Sequence, residues 1–67
     1  MHIKLNNEII EFPDGNTTIS DLLSSRNIKQ EGTAVARNGK LVERAKWELA
    51  VLENNDDIVI ISAAFGG

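Results

Sequence analysis

The chain has 67 residues with seven Lys and Arg against ten Asp and Glu, so its formal net charge is −3. It contains no cysteine and one histidine, His2, which excludes disulfides and thiolate metal sites and leaves too few ligands for a zinc site. The basic residues are diluted by acids, which argues against nucleic acid as the main partner. A chain this short forms one small domain at most, held by ordinary apolar packing.

The sequence carries no recognisable targeting or membrane-spanning segment. Residues 1–6 lack the basic segment and long apolar run that are typical of a signal peptide. The longest apolar run, Ile58 to Ile61, is far too short to cross a bilayer. We therefore expect a soluble, cytoplasmic protein with no membrane partner.

The first twelve residues predict a β-hairpin. Ile3 and Leu5 alternate with polar residues, which is the period of a half-buried strand, and residues 8–12 predict the second strand. Asn6-Asn7 lies between them and favours a tight turn, because asparagine tolerates positive φ.

A helix is expected after the loop that contains Pro13 and Gly15. Thr18 and Asp21 have the spacing of a capping box, in which each residue satisfies a backbone N–H of the other. The helix then presents one apolar stripe, because the following residues are spaced i, i+3, i+4: Ile19, Leu22 and Leu23.

A second hairpin is predicted in the middle of the chain. Residues 33–37 and 40–42 are short strands, and Asn38-Gly39 between them is the strongest turn signal in the sequence. A helical turn is expected at Arg44 to Trp47. We interpret Trp47 as a packing residue rather than as an exposed anchor for a partner, although tryptophan is also enriched at binding hot spots.

The last strand is predicted at Ile58 to Ile61. Its apolar residues do not alternate with polar ones, which suits a central strand covered on both faces. Asp56-Asp57 just before it is interpreted as a solvated turn, because neighbouring strand residues point to opposite faces and cannot share a reacting atom. Residues 62–67 show no period and are expected to form a mobile tail.

These elements predict an α+β fold in which a small mixed sheet packs on one main helix. The order of two strands, a helix and three strands matches the β-grasp, or ubiquitin-like, arrangement best. We expect residues 1–67 to form a single β-grasp domain, with residues 62–67 as its flexible Gly-Gly tail.

No constellation of catalytic side chains is visible in the sequence. The hydroxyls have no partner base, no phosphate-binding loop is present, and we expect neither catalytic nor metal-binding residues. The candidate reactive group is therefore the C-terminal Gly66-Gly67. Two residues without a Cβ can enter a channel too narrow for a side chain, and the ionised terminal carboxylate can attack the α-phosphate of ATP. Such a protein is a covalent carrier and not an enzyme.

The chain resembles the ThiS family, the ubiquitin-like sulfur carriers of thiamine biosynthesis. The resemblance runs along the whole chain through "LNNEIIEF", "TTISDLL", "VARNGKLVERAKW", "DDIVII" and "FGG". One departure is Asn55-Asp56, where many members have Gly-Asp, and asparagine is the best substitute for glycine in a left-handed conformation.

The resemblance implies a chemistry for the last residue. Gly67 would be adenylated by an E1-like (ThiF-type) adenylyltransferase that uses ATP, and sulfur from a cysteine-desulfurase relay would convert it to a thiocarboxylate. Thiazole synthase (ThiG-type) would then take the sulfur. No cofactor would be bound permanently. Gly66 and Phe65 would serve in recognition of the tail.

Three rival interpretations share parts of this pattern. The small subunit of molybdopterin synthase has the same tail chemistry, a ubiquitin-like modifier has the same adenylate, and a β-grasp RNA-binding domain has only the fold. Partner choice must then come from the folded surface, for which the candidate anchors are Phe65 and either Leu41 or Val42. Net negative charge favours a receiver with a basic rim.

Overall fold

The computed structural model describes residues 1–13 and 15–62. Within these residues one α-helix, one short 3₁₀-helix and five strands follow each other along the chain: β1 (His2–Leu5), β2 (Glu8–Glu11), α1 (Ile19–Ser25), β3 (Thr33–Arg37), β4 (Lys40–Val42), the 3₁₀-helix Arg44–Lys46 and β5 (Asp57–Ser62). The predicted order of elements is confirmed.

All five strands form one mixed sheet in the order β2-β1-β5-β3-β4. Each hairpin is antiparallel, and β5 lies between them, parallel to β1 and antiparallel to β3. The Lys4–Asp57 pair therefore joins the two ends of the described chain inside the sheet. This is the α+β, β-grasp arrangement that the sequence predicts.

Both predicted hairpin turns have the left-handed backbone that their residues favour. Asn6 and Asn7 have φ of 48° and 71°, and Asn38 and Gly39 have φ of 52° and 86°. Positive φ at both central positions gives the turn a twist that matches the flanking strands. The sequence thus fixes where each hairpin reverses.

The start of α1 is capped as predicted. The Thr18 hydroxyl accepts the Asp21 N–H at 3.1 Å, and the Asp21 carboxylate accepts the Thr18 N–H at 3.1 Å. The apolar stripe of α1 is fully buried and forms the centre of the core together with residues from the sheet.

Trp47 belongs to this core, as predicted, since it is only 2% exposed. Its indole N–H donates to the Val42 carbonyl at 2.8 Å, so the polar edge of the ring is satisfied where it is buried. The preceding turn, Arg44–Lys46, is the predicted helical turn. It brings the tryptophan back beneath β4.

The prediction that β5 is covered on both faces is wrong. Ile58 and Ile60 are buried, whereas Val59 and Ile61 are 38% and 58% exposed. The strand is central in the sheet, but the helix covers only one side of it. Ser62 is the last residue of β5 and pairs with Thr33, so it belongs to the sheet and not to the predicted tail.

Candidate functional site

The three residues predicted to carry the sulfur chemistry and tail recognition, Gly67, Gly66 and Phe65, lie outside the described residues, and so does the rest of the predicted tail after Ser62. What the structure defines is the strand that leads to them and the surfaces beside it. The site is therefore built from β5 outward.

Backbone pairing holds β5 on both sides. Five consecutive pairs join it to β3, from Arg37–Ile58 to Thr33–Ser62, while Lys4 and Leu5 pair with its beginning on the β1 side. The pairing with β3 continues to the last described residue. The chain thus enters residue 63 from a strand whose end is fixed in the sheet.

An asparagine from the first hairpin turn holds the second half of β5. The Ile60 N–H donates to Asn6 Oδ1 at 2.8 Å, and Asn6 Nδ2 donates to the Ile60 carbonyl at 3.3 Å. The pairing of β1 with β5 ends at Ile58, and at Ile60 the Asn6 side chain takes the place of the missing strand partner. Its positive φ lets the side chain turn toward β5.

A buried carboxylate holds the other end of β5. Asp56 is 5% exposed, forms an ion pair with the Arg37 guanidinium at 2.8 Å, and accepts hydrogen bonds from Asn38 Nδ2 at 3.1 Å and from the Glu53 N–H at 2.8 Å. We call these four residues the Asp56 clamp. They join the β3–β4 turn to the segment before β5, and every donor matches an acceptor, as buried charge requires.

The prediction that Asp56-Asp57 is a solvated turn is therefore wrong for Asp56, which is buried. Asp57 is exposed as predicted, but it is the first residue of β5 and not part of a turn. Sequence reasoning missed the clamp because Arg37 and Asp56 are 19 positions apart and only the pairing of β3 with β5 brings them together. The Asn38-Gly39 turn was the one available signal, since it fixed the position of one donor.

The uncovered side of the sheet carries an apolar surface. Leu41 is 76% exposed, Val59 38% and Ile61 58%. Ala36 pairs with both Leu41 and Val59, and Ala34 pairs with Ile61, so these side chains form two neighbouring rows on one face. We call Leu41, Val59 and Ile61 the open-face patch.

The two hairpin residues predicted as candidate anchors differ in exposure. Leu41 points to solvent, whereas Val42 is partly buried and packs against the core. Leu41 is thus available to a partner and Val42 is not. Val59 and Ile61 were missed by the sequence analysis, because an uninterrupted apolar run was interpreted as a strand with two covered faces.

Charged side chains flank the end of β5. A surface cavity of about 320 Å³ lies beside Ser62 and is lined by Lys29, Glu31 and Thr33 among others. A partner that approaches the end of β5 therefore meets both apolar and ionic groups. In the described ranges, no three acidic or histidine side chains come together as a metal site. No described helix has the length and hydropathy to cross a membrane.

A family model and a relative of known function both match this chain along nearly its whole length. A model of the ThiS family matches residues 3–67. The sulfur carrier protein ThiS of Escherichia coli is 28% identical over 67 residues, and the match covers all of both chains.

Two solved structures of a thiamine biosynthesis protein (ThiS) from Geobacter metallireducens superpose closely. The crystal structure has a TM-score of 0.83 at 22% identity and is covered completely. The solution structure has a TM-score of 0.82 at 22% identity and is covered over 88% of its length. Both matches span the whole of the present chain. Since the family model accounts for nearly every residue, the chain belongs to the ThiS family of sulfur carrier proteins.

Proposed function

We propose that this protein carries sulfur as a thiocarboxylate on Gly67 for the formation of the thiazole of thiamine. The observation that supports the proposal most strongly is the family match, which extends through residue 67. The E. coli relative named as a sulfur carrier aligns over its full length. The protein in this view is a substrate of its partners, and it has no catalytic residues of its own.

The proposed steps follow from the chemistry of a carboxylate. An E1-like adenylyltransferase of the ThiF type binds ATP, and the Gly67 carboxylate attacks the α-phosphorus while pyrophosphate leaves. A persulfide supplied by a cysteine-desulfurase relay then displaces AMP to give an acyl disulfide. A second thiol of the relay attacks the relay sulfur, which forms a disulfide in the relay and releases the thiocarboxylate on Gly67. Thiazole synthase of the ThiG type receives the sulfur, and an oxygen atom from the acceptor's carbonyl group or from water replaces it, which restores the carboxylate. ATP is consumed by the partner and is not a bound cofactor of this chain.

The geometry of β5 supports this role in two ways. The strand is fixed in the sheet to Ser62, so residue 63 follows a point whose position is defined. At about 3.3–3.6 Å per residue, residues 63–67 reach at most about 18 Å. A partner that binds the terminal carboxylate therefore reaches to within about 18 Å of Ser62, the neighbour of Ile61.

We propose that the open-face patch docks the same partners that bind the tail. Leu41 is its most exposed member, and apolar anchors of this kind carry most of the binding energy when a polar rim excludes water around them. Phe65 is proposed as a further anchor and Gly66 as the slender residue that enters the partner's channel. A receiver with a basic rim would complement the net charge of −3.

The intact mass of the protein tests the carrier role. After incubation with ATP, a ThiF-type enzyme and a sulfur source, the protein should gain the mass difference between sulfur and oxygen, and fragmentation should place it on Gly67. A matched Gly66→Ala variant should react far more slowly, because a Cβ obstructs a narrow channel. Modification of a side chain, or equal rates for both proteins, would contradict the proposal.

Supplying different sulfur-accepting enzymes distinguishes thiamine synthesis from the nearest alternatives. Thiocarboxylated protein should lose its sulfur to thiazole synthase and retain it in the presence of the large subunit of molybdopterin synthase. Transfer only to the molybdopterin enzyme would assign the protein to that pathway. Formation of an isopeptide with lysine would make it a ubiquitin-like modifier.

A further inference from the structure

The Asn38-Gly39 turn contains a chemical weakness that the carrier role does not use. An asparagine side chain can be attacked by the backbone nitrogen of the next residue, which expels ammonia and closes a succinimide ring. Hydrolysis of the ring by water gives aspartate or isoaspartate. Glycine has no Cβ to hinder this approach, and Asn38 is the one asparagine in the sequence that precedes glycine.

The fold holds the reacting amide away from that pathway. Asn38 Nδ2 donates to Asp56 Oδ1 at 3.1 Å, and Asn38 Oδ1 accepts the Asp57 N–H at 2.9 Å. The Asn38 N–H also donates to the Asp57 carbonyl at 2.8 Å. Both ends of the side-chain amide are thus engaged with the segment that begins β5, although Asn38 itself is exposed to water.

We propose that Asn38 is a deamidation site whose reaction is suppressed by the folded Asp56 clamp and which, once modified, disables that clamp. The reaction needs only water and releases ammonia, so no enzyme or oxidant is required. It proceeds through molecules in which the β3–β4 turn has opened. The modification therefore records how often this turn separates from β5.

The product cannot restore the original contacts. Aspartate at position 38 can still accept the Asp57 N–H, but it has no donor for Asp56. Its carboxylate would stand at the 3.1 Å position now occupied by Nδ2, against a carboxylate that is 5% exposed. Two like charges at this distance repel, and a buried acceptor loses its donor. Isoaspartate adds a methylene to the backbone of a two-residue turn and displaces the strand ends as well.

Deamidation of the wild-type protein tests the protection. The full chain is incubated at mildly alkaline pH in native buffer and in urea, and the conversion of each asparagine is followed by peptide mass mapping. Asn38 should react fastest of all asparagines in urea and at least about tenfold more slowly in native buffer. Equal rates in the two solvents would show that the hydrogen bonds at Asn38 give no protection and would overturn the proposal.

A mimic of the product tests the consequence, with Asn7→Asp as the matched control. Asn7 also has positive φ in a hairpin turn, but its side chain is exposed and does not take part in the Asp56 clamp. Asn38→Asp should lower the folding equilibrium constant about tenfold or more, whereas Asn7→Asp should change it about twofold at most. Equal effects of the two substitutions would contradict the clamp argument.

A charge exchange separates the lost contact from general damage to the turn. In the double variant Asn38→Asp with Asp56→Asn, the new amide at position 56 can donate to the new carboxylate at position 38. The double variant should fold better than Asn38→Asp alone, even if the single variant is largely unfolded. A double variant that is no more stable than the single variant would overturn the proposal.

Discussion

The two faces of the sheet differ more than their sequences suggest. Ile58, Val59, Ile60 and Ile61 are successive β-branched residues of one strand, yet the first and third are buried against α1 while the second and fourth face outward. The same chemical groups therefore hold the fold on one side and remain available on the other.

This difference separates the residues that hold the fold together from those whose side chains remain exposed. The covered face supplies the stability, because its residues lie in a core with Trp47 and the apolar stripe of α1. The open-face side chains remain partly or largely in water, so substitutions there are expected to disturb folding less. Apolar exposure on one face of a 67-residue chain is thus consistent with a docking surface and not with poor packing.

The largest expected difference in stability is between a leucine of the core and a leucine of the open face. Leu23→Ala removes a side chain that is 0% exposed and should lower the free energy of unfolding by about 2–5 kcal/mol. Leu41→Ala removes one that is 76% exposed and should change it by less than about 0.5 kcal/mol. Urea denaturation measures both.

For adenylation, the order of the two effects should be reversed. At a temperature where both variants are folded, Leu41→Ala should slow adenylation and Leu23→Ala should not. Loss of stability in Leu41→Ala comparable to that of Leu23→Ala would mean that the open-face patch is part of the core.

A smaller effect is expected from the helix that covers the sheet. Thr18→Ala removes the hydroxyl that accepts the Asp21 N–H, and loss of such a cap costs about 0.5–2 kcal/mol. The loss should appear in the unfolding free energy while adenylation of the folded protein stays unchanged. Thr18→Ser keeps the acceptor and serves as control. If the serine variant is as unstable as the alanine variant, the hydrogen bond is not the cause.

The smallest expected difference in stability is between two isoleucines of β5. Ile58→Val deletes one methylene at a site that is 0% exposed and should cost about 0.5–1.5 kcal/mol, since the neighbours cannot close the gap fully. Ile61→Val makes the same deletion at 58% exposure and should shift stability by less than about 0.5 kcal/mol. Thermal unfolding followed by calorimetry resolves the pair. Equal shifts would remove the distinction between the two faces.

Local signals in the sequence determined most of the fold. The Asn6-Asn7 and Asn38-Gly39 turns, the Thr18–Asp21 capping box and the apolar stripe of α1 all act between residues close along the chain. Their geometry follows from backbone sterics and short-range hydrogen bonds, so it could be predicted before any tertiary contact was known. The assignment of Trp47 to the core also held.

The tertiary structure alone decided which parts of β5 are covered and what holds its two ends. The one α-helix of the described residues lies on one side of the five-stranded sheet and leaves the other side open, and an apolar run does not state which of its sides that will be. The contacts of Asn6 with Ile60 and of Arg37 with Asp56 join residues 54 and 19 positions apart. Such pairs depend on strand order and register, which no local pattern encodes, and they form only when the two hairpins close around the last strand.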